Sequence, residues 1–280
     1  MTETVSITAR AAIANVLSVA GSDPSGGAGI QADLKSFAAR HTYGMAAITA
    51  LTVQNTQGVS AVRLIEPDLV RQQIEAVFAD IRVDAVKIGM IGSAATAETV
   101  GGLLRRQTLP IVLDTVMVAK GGASLAGQQT VKALIEHIFP LAHVITPNLP
   151  EAAALLGVTE AVSRAAMEAQ AKALLGFGVK AVLLKGGHLP DAEAPDLLLW
   201  EDNRLWLEGR RYPTANTHGT GCSLSSAIAA ELAKGETLER AVRIAKTWIS
   251  GAIAAADRLS VGHGHGPLHH FHGLWPELQR

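Results

Sequence analysis

Six short apolar runs recur along the chain, at Asn15 to Ala20, Met45 to Val53, Ala85 to Ile88, Ile111 to Leu113, His143 to Thr146 and Ala181 to Lys185. Amphipathic stretches of helical length separate most of them: Ile30 to Ala39, Pro67 to Asp80, Ala95 to Arg106, Gln129 to His137 and Ser163 to Leu175. Strands that are apolar on both faces cannot border water, so the alternation predicts a mainly parallel central sheet with helices on both faces, a three-layer α/β/α fold. Asp196 to Trp200 and Arg204 to Glu208, separated by Glu201-Asp202-Asn203, predict a hairpin. Helices are expected from Leu224 to Lys234 and from Thr237 to Ala254. With 280 residues, 48% of them hydrophobic, the chain can bury one large core, so 1–280 is read as a single domain with a loose arm over 1–12.

Composition narrows the partners. A formal net charge of -1 and the lack of a long basic run argue against a nucleic-acid surface. No apolar run approaches the roughly 18 residues that span a bilayer, and the N-terminus lacks the charged and apolar regions of a secretory signal. The single cysteine forms no internal disulfide, which fits a reducing cytoplasm.

In open α/β sheets ligands bind beyond the carboxyl ends of the strands, and here each run ends in a polar or glycine-rich cluster. The first leads into Gly21-Ser22-Asp23-Pro24-Ser25-Gly26-Gly27-Ala28-Gly29, where small residues let a ligand approach the backbone. The second ends at Gln54, whose amide offers an acceptor and two donors in one plane, matching an aminopyrimidine edge. Asp114 follows the fourth run and Glu151 the fifth; two carboxylates can hold Mg²⁺ through water, since that ion keeps much of its hydration shell. Taken singly, Gln54 is equally a loop-capping amide, Asp114 a turn former and Glu151 a first-turn helix acid. Lys185 leaves a buried strand beside two glycines, in reach of a phosphate.

The stretch Asn216-Thr217-His218-Gly219-Thr220-Gly221-Cys222-Ser223 runs into an Ala-rich helix. The free amides of that first turn and the helix dipole make an anion site, and Cys222 points into it. It is neither a Walker A loop nor a dinucleotide fingerprint. Residues Gly262 to His272 hold five of the ten histidines and, interleaved with Gly and Pro, are read as an exposed tail or lid rather than a metal site.

These strings together resemble the hydroxymethylpyrimidine and phosphomethylpyrimidine kinases of the ribokinase-like family. The likeness is carried by residues 20–35, Thr-Ala-Leu-Thr-Val-Gln-Asn-Thr (49–56), Lys-Ile-Gly-Met (87–90), Leu-Asp-Thr-Val-Met (113–117), Ile-Thr-Pro-Asn-Leu-Pro-Glu-Ala (145–152), Leu-Lys-Gly-Gly-His (184–188), Asn-Thr-His-Gly-Thr-Gly-Cys (216–222) and Gly-Pro-Leu-His-His-Phe-His (266–272), nearly the whole chain. The resemblance implies an enzyme using ATP and Mg²⁺ that phosphorylates 4-amino-5-hydroxymethyl-2-methylpyrimidine and then its monophosphate, as a cytoplasmic homodimer. It implies that Gln54 hydrogen-bonds the pyrimidine, with Asp33 and Thr52 beside the ring. Apart from the resemblance, the turn of residues 26–29 with Ala28, at a second helix N-terminus, is a candidate for holding the monophosphate. Asn148, Lys185, Thr217, Gly219 and Gly221 would serve the nucleotide, and Asp114 and Glu151 the metal. Lys185 and the amides of Gly219, Thr220 and Gly221 would act in catalysis with Cys222 as base, in the place where most of the wider family carries an aspartate. A helix N-terminus is expected to lower that thiol's pKa from about 8.5. A pyridoxal kinase would share the phosphate machinery with another ring. A silent pyrimidine-binding regulator would keep Gln54 and Asp33 but lack Lys185, Glu151 or the Gly-Thr-Gly loop, all of which are present.

Overall fold

The computed structural model describes residues 12–117, 127–189 and 194–276, so the expected arm lies, but for its last residue, outside them. Strands β1 (Asn15–Ser22), β2 (Tyr43–Asn55), β3 (Gly58–Leu64), β4 (Ala85–Ile88), β5 (Ile111–Leu113), β6 (Val144–Ile145), β7 (Ala181–Lys185), β8 (Asp196–Trp200) and β9 (Asn203–Leu207) form one sheet in the order β3-β2-β1-β4-β5-β6-β7-β8-β9. The neighbours from β2 to β7 pair in parallel, whereas β3, β8 and β9 add antiparallel edges. The parallel centre brings the carboxyl ends of six strands to one edge of the sheet, which is where the polar clusters were expected.

The helices are α1 (Gly29–Ala39), α2 (Pro67–Asp80), α3 (Ala94–Leu104), α4 (Gln128–His137), α5 (Leu149–Leu156), α6 (Arg164–Leu175), α7 (Thr220–Ala233) and α8 (Leu238–Ala254). Side chains alternate across the central strands and so feed two cores. Leu17, Val19, Val86, Ile88, Ile111, Leu113, Val182 and Leu184 face the layer of α2 to α6. Val16, Ala85, Val112, Ala181 and Leu183 face α1, α7 and α8. No helix among the described residues is long and apolar enough to cross a membrane.

Three features differ from the sequence expectation. β2 continues through Gln54 and turns into β3, so residues 54–58 belong to a hairpin. The pattern hid it because β3 is a half-exposed edge strand, with Ser60, Ala61, Arg63 and Leu64 open to solvent and no apolar run. Next, α5 is a short helix opened by a capping box, in which Asn148 Oδ1 accepts from the Glu151 amide at 2.8 Å and Glu151 Oε2 accepts from the Asn148 amide at 2.9 Å. Lastly, the histidine-rich stretch is only partly exposed. Gly262 to His265 face solvent, but Gly266 to His270 are buried, because Leu268 fills the core under α7 and α8 while His270 packs against Trp248.

The second core contains an ion pair. Ser18 and Lys87 stand at alternate positions on neighbouring strands and face α1 and α7, where Asp33 and Ser226 meet them. Lys87 Nζ lies 2.8 and 2.9 Å from the two Asp33 oxygens, and both residues are 0% exposed. Ser18 Oγ at 2.6 Å and Ser226 Oγ at 2.7 Å complete the shell of the carboxylate. Burial works against the ammonium, yet Asp33, with Cys222 and Asp114 further off, outweighs it and raises the Lys87 pKa. Removing one partner of such a pair leaves the other as an uncompensated charge. Lys87→Met is therefore expected to cost about 3–5 kcal/mol of stability in urea unfolding, and the double replacement Lys87→Met with Asp33→Leu to recover most of it. A single-variant loss below about 1 kcal/mol would mean that water reaches the pair.

Candidate active site

The site forms where two helix N-termini meet. α7 begins after Gly219, whose φ of +80° is a left-handed conformation, and a Cβ there would strike the Gly27 carbonyl. The glycine turn before α1 thus lies directly against the loop before α7. Gly27 is equally constrained, since a Cβ on it would run into the His218 ring. The first turn of α7, which holds the amides of Gly221 and Cys222, carries no side-chain cap.

Opposite this turn stand the charged groups. Lys185, the last residue of β7, places Nζ 3.3 Å from Asp114 Oδ1, and Asp114 directly follows β5. The Lys185 amide donates to the Pro147 carbonyl at 2.8 Å, which ties β7 to the loop opening α5. Thr146 Oγ1 is 3.2 Å from Asp114 Oδ1 and Thr115 Oγ1 is 3.2 Å from Glu151 Oε2. Burial opposes the Lys185 charge, but Asp114 and Glu151 overcome it and raise its pKa. For Glu151 burial dominates and raises the pKa, with Lys185 pulling against it and Asp114 adding to it. Among the described residues the buried Asp114 Oδ2 has no hydrogen-bond partner, and it lies close to where a Cβ on Gly221 would sit.

On the other flank, an irregularity in the β2–β3 pairing at Val53 and Gln54, where Ser60 is the extra residue, sets the direction of the Gln54 side chain. Gln54 Nε2 lies 3.3 Å from His218 Nε2, and Thr52 Oγ1 is 3.2 Å from Gln54 Oε1. A hollow of about 340 Å³ within this hairpin has Gln54 in its lining. A larger one, about 560 Å³, lies between Arg40, Trp248 and His272, at the far end of α1 from the glycine turn.

Lys185, Asp114, Glu151, Asn148, Gly219, Thr220, Gly221, Cys222, Gln54 and Thr52 therefore gather on one edge of the sheet, with Thr217 in the loop leading into α7. Three expectations need correction. Asp33 has no accessible surface, and its carboxylate is saturated by Lys87, Ser18 and Ser226, so it lies beneath the site instead of beside a ring. The Ala28 amide donates to Asp23 Oδ2 at 2.8 Å, so the N-terminus of α1 already holds a carboxylate and leaves that amide nothing for a phosphate. The Cys222 thiol is not lowered by its helix terminus. Burial pushes it up to about 12, with Asp114 and Asp33 adding to the rise against the pull of Lys87 and of the Gly29 amide on the sulfur.

Asp23 and His218 were not singled out from the sequence, although both lie inside quoted strings. His218 Nε2 is 2.8 Å from Asp23 Oδ2. Nothing in the spacing of two residues 195 apart signals that contact. The C-terminal segment closes over the same place: the His218 amide donates to the Gly266 carbonyl at 3.0 Å, and the His265 amide donates to the Thr56 carbonyl at 2.8 Å.

The chain is similar to known kinases. Residues 23–269 match the family model described as phosphomethylpyrimidine kinase. The chain is 49% identical over 262 residues to a hydroxymethylpyrimidine/phosphomethylpyrimidine kinase of Salmonella typhimurium, covering 93% of this chain and 98% of the relative. Among solved structures it is similar to a phosphomethylpyrimidine kinase of Clostridium difficile, with a TM-score of 0.76, 41% identity and coverage of 86% of this chain and 99% of that one. It is also similar to a Bacillus subtilis pyridoxal kinase in an ADP complex, with a TM-score of 0.86, 37% identity and coverage of 93% and 98%.

The raised thiol has a direct consequence. With a pKa of about 12, Cys222 is almost wholly protonated from pH 7 to 9, and its reactive thiolate fraction grows about tenfold per pH unit across that range. Because it is the sole cysteine, carbamidomethylation followed by intact mass reports it alone. The modification rate is expected to rise log-linearly with pH and show no plateau; a plateau near pH 8 would place the thiol in its ordinary range.

Proposed function

The chain belongs to the phosphomethylpyrimidine kinase family, and from that premise we propose that it transfers the γ-phosphoryl of ATP first to the hydroxymethyl oxygen of 4-amino-5-hydroxymethyl-2-methylpyrimidine and then to the monophosphate, in thiamine biosynthesis. The observation that carries this reading is the junction at His218. Its ring touches Gln54, the group suited to an aminopyrimidine edge, and its backbone leads at once into the Gly-Thr-Gly turn suited to a phosphoryl group.

Phosphoryl transfer through a loose transition state asks the protein mainly for alignment and for charge in the right place. The amides of Gly221 and Cys222 and the α7 dipole would stabilise charge on the transferring group, with Lys185 released from Asp114 toward the phosphates. Nucleotide use is supported by the ADP complex of the similar Bacillus subtilis kinase. The residues present also fit Mg²⁺: Asp114 and Glu151 supply hard oxygen donors, and the buried Asp114 Oδ2 has no partner among the described residues. Bound there, Mg²⁺ would neutralise phosphate charge. The second phosphorylation sets two anions side by side and leans on the same cations.

The proton of the acceptor hydroxyl goes to Cys222 in this reading. Only the thiolate can take it, so the rate follows the small deprotonated fraction. Leu51 and Val53, 48% and 60% exposed on one face of the hairpin, support a homodimer in which a second copy covers them. A reducing cytoplasm would keep Cys222 free. The likeness to a pyridoxal kinase supports a second reading, in which pyridoxal is a side substrate.

Two measurements test the proposal. Consumption of ATP is compared for the hydroxymethylpyrimidine, its monophosphate and pyridoxal, with products identified by mass; turnover of both pyrimidines is expected, and absence of the diphosphate would limit the enzyme to the first step. In the same assay Gln54→Leu is expected to raise the pyrimidine KM by roughly tenfold to a hundredfold, from about 1–3 kcal/mol of lost pairing, and to leave the ATP KM alone. An unchanged pyrimidine KM removes Gln54 from the pocket.

The second measurement concerns the base. The kcat of the unmodified protein is expected to climb with pH from neutral into the alkaline range, and Cys222→Ala to lower kcat by roughly 10²–10⁴ while flattening that climb. A variant within about threefold of the parent would leave the thiol a packing group.

A further inference from the structure

The atoms around Gln54 define a direction of hydrogen bonding that ends on the ring-facing amide. Asp23 is the start. Its Oδ1 accepts from the Ser25 amide at 2.9 Å and the Ser25 hydroxyl at 2.6 Å, and its Oδ2 accepts from the Ala28 amide at 2.8 Å and faces His218 Nε2 at 2.8 Å. A carboxylate so placed wants a hydrogen from each neighbour, so the proton of a neutral His218 ring sits on Nε2. That same Nε2 lies 3.3 Å from the Gln54 amide. At the other end, Thr52 has one hydroxyl hydrogen, and the Ser22 carbonyl, 2.8 Å away, takes it in preference to the Gln54 amide at 3.2 Å. Thr52 then has only lone pairs left for Gln54.

The oxygen and nitrogen of an amide are told apart by such partners. On its Thr52 side Gln54 meets an acceptor. On its His218 side it meets a nitrogen whose single hydrogen is held by Asp23 and which has no lone pair to accept from an amide. The amide nitrogen is therefore satisfied toward Thr52, which turns the oxygen to the electropositive Nε2–H edge of His218 and leaves one amide hydrogen and the oxygen's lone pairs for a ring.

We propose that His218, held in its Nε2–H tautomer by Asp23, is a positioning residue that sets which way round Gln54 presents its donor and acceptor, and so determines specificity for an aminopyrimidine. The inference rests on Gln54 reading the ring. A ring nitrogen beside an exocyclic amine needs that donor and acceptor in one order, and the reversed amide matches neither. Pyridoxal, with no amine beside its ring nitrogen, uses only one of the pair. The turn is built around the imidazole: Gly27 has no side chain because the ring occupies its place, and the His218 backbone is anchored separately by the Gly266 carbonyl. Changing the ring therefore leaves the backbone of the anion-binding loop with its own support.

The test compares His218→Phe, which keeps a ring without the N–H, with His218→Gln, whose terminal amide places a donor near the Nε2 position. For His218→Phe the hydroxymethylpyrimidine KM is expected to rise by roughly tenfold or more, with the ATP KM within about twofold and a smaller penalty on pyridoxal. His218→Gln should recover most of the loss, and in a Gln54→Leu background the Phe replacement should add little. Equal penalties for Phe and Gln, or a full Phe penalty without Gln54, would overturn the proposal. Independently of folding of the Phe variant, proton–nitrogen correlation spectra of the unmodified protein report the tautomer, with the His218 signals identified by their loss in His218→Gln. An Nε2–H tautomer is expected and an Nδ1–H tautomer refutes the idea. That readout needs no turnover, so failure of the kinase activity itself is distinguished from failure of this inference.

Discussion

The contact between two backbones at Gly219 and Gly27 governs the rest of the site. Bringing the turn before α1 against the turn before α7 points two helix N-termini at one small volume, and two partial positive ends so close favour anions between them. The protein fills one with its own carboxylate: Asp23 takes the Ala28 amide and the Ser25 amide at the start of α1. Among the described residues no side chain caps the first turn of α7, beside which Asp114 stands. Two similar helix termini thereby divide their work, one structural and one suited to a transferring phosphoryl group.

The same division explains the thiol. A cysteine at a helix N-terminus is ordinarily pulled toward ionisation, but the dipole amounts to only about half a charge. Around Cys222 burial penalises the thiolate outright, and Asp114 and Asp33 reinforce it. Lys87 is the group best able to compensate, yet its charge is spent on Asp33 at 2.8 Å. Desolvation outweighs the dipole, so the anion-binding turn carries a neutral side chain.

Much of this was legible in the chain. Apolar runs with polar ends gave the parallel sheet and the edge where the candidate site lies, because burial on both faces leaves the strand no other pattern, and Gly219-Thr220-Gly221 marked the start of α7 through its glycines. What escaped depends on contacts between distant residues. Asp33 looked like a ligand group until Lys87, Ser18 and Ser226 were found around it. β3 lacks an apolar run because one edge strand needs no buried face. His218 looked like one more polar residue in a loop, and only the fold brings it to Asp23 and Gln54.

The C-terminal stretch shows why such contacts matter for function. Its histidines, interleaved with Gly and Pro, read as an exposed tail or lid, whereas its backbone links the two halves of the site. The amides of Gly264 and His265 bind Thr56 at the tip of the β2–β3 hairpin, the Gly266 amide binds Asn216 Oδ1 at 3.0 Å, and the His218 amide returns to the Gly266 carbonyl. Further along, His270 Nε2 lies 2.8 Å from the Ser223 hydroxyl, one residue beyond Cys222. Burial and the nearby Lys35 lower the His270 pKa to about 4, so at neutral pH this link is made by an uncharged ring. One segment therefore holds the hairpin that carries Gln54 in register with the helix start that carries Cys222. Were a ring held at Gln54 and a phosphoryl group at the start of α7, as proposed, the transfer would need a rigid connection between them, since its rate falls steeply with small displacements of the acceptor, and these bonds would provide it.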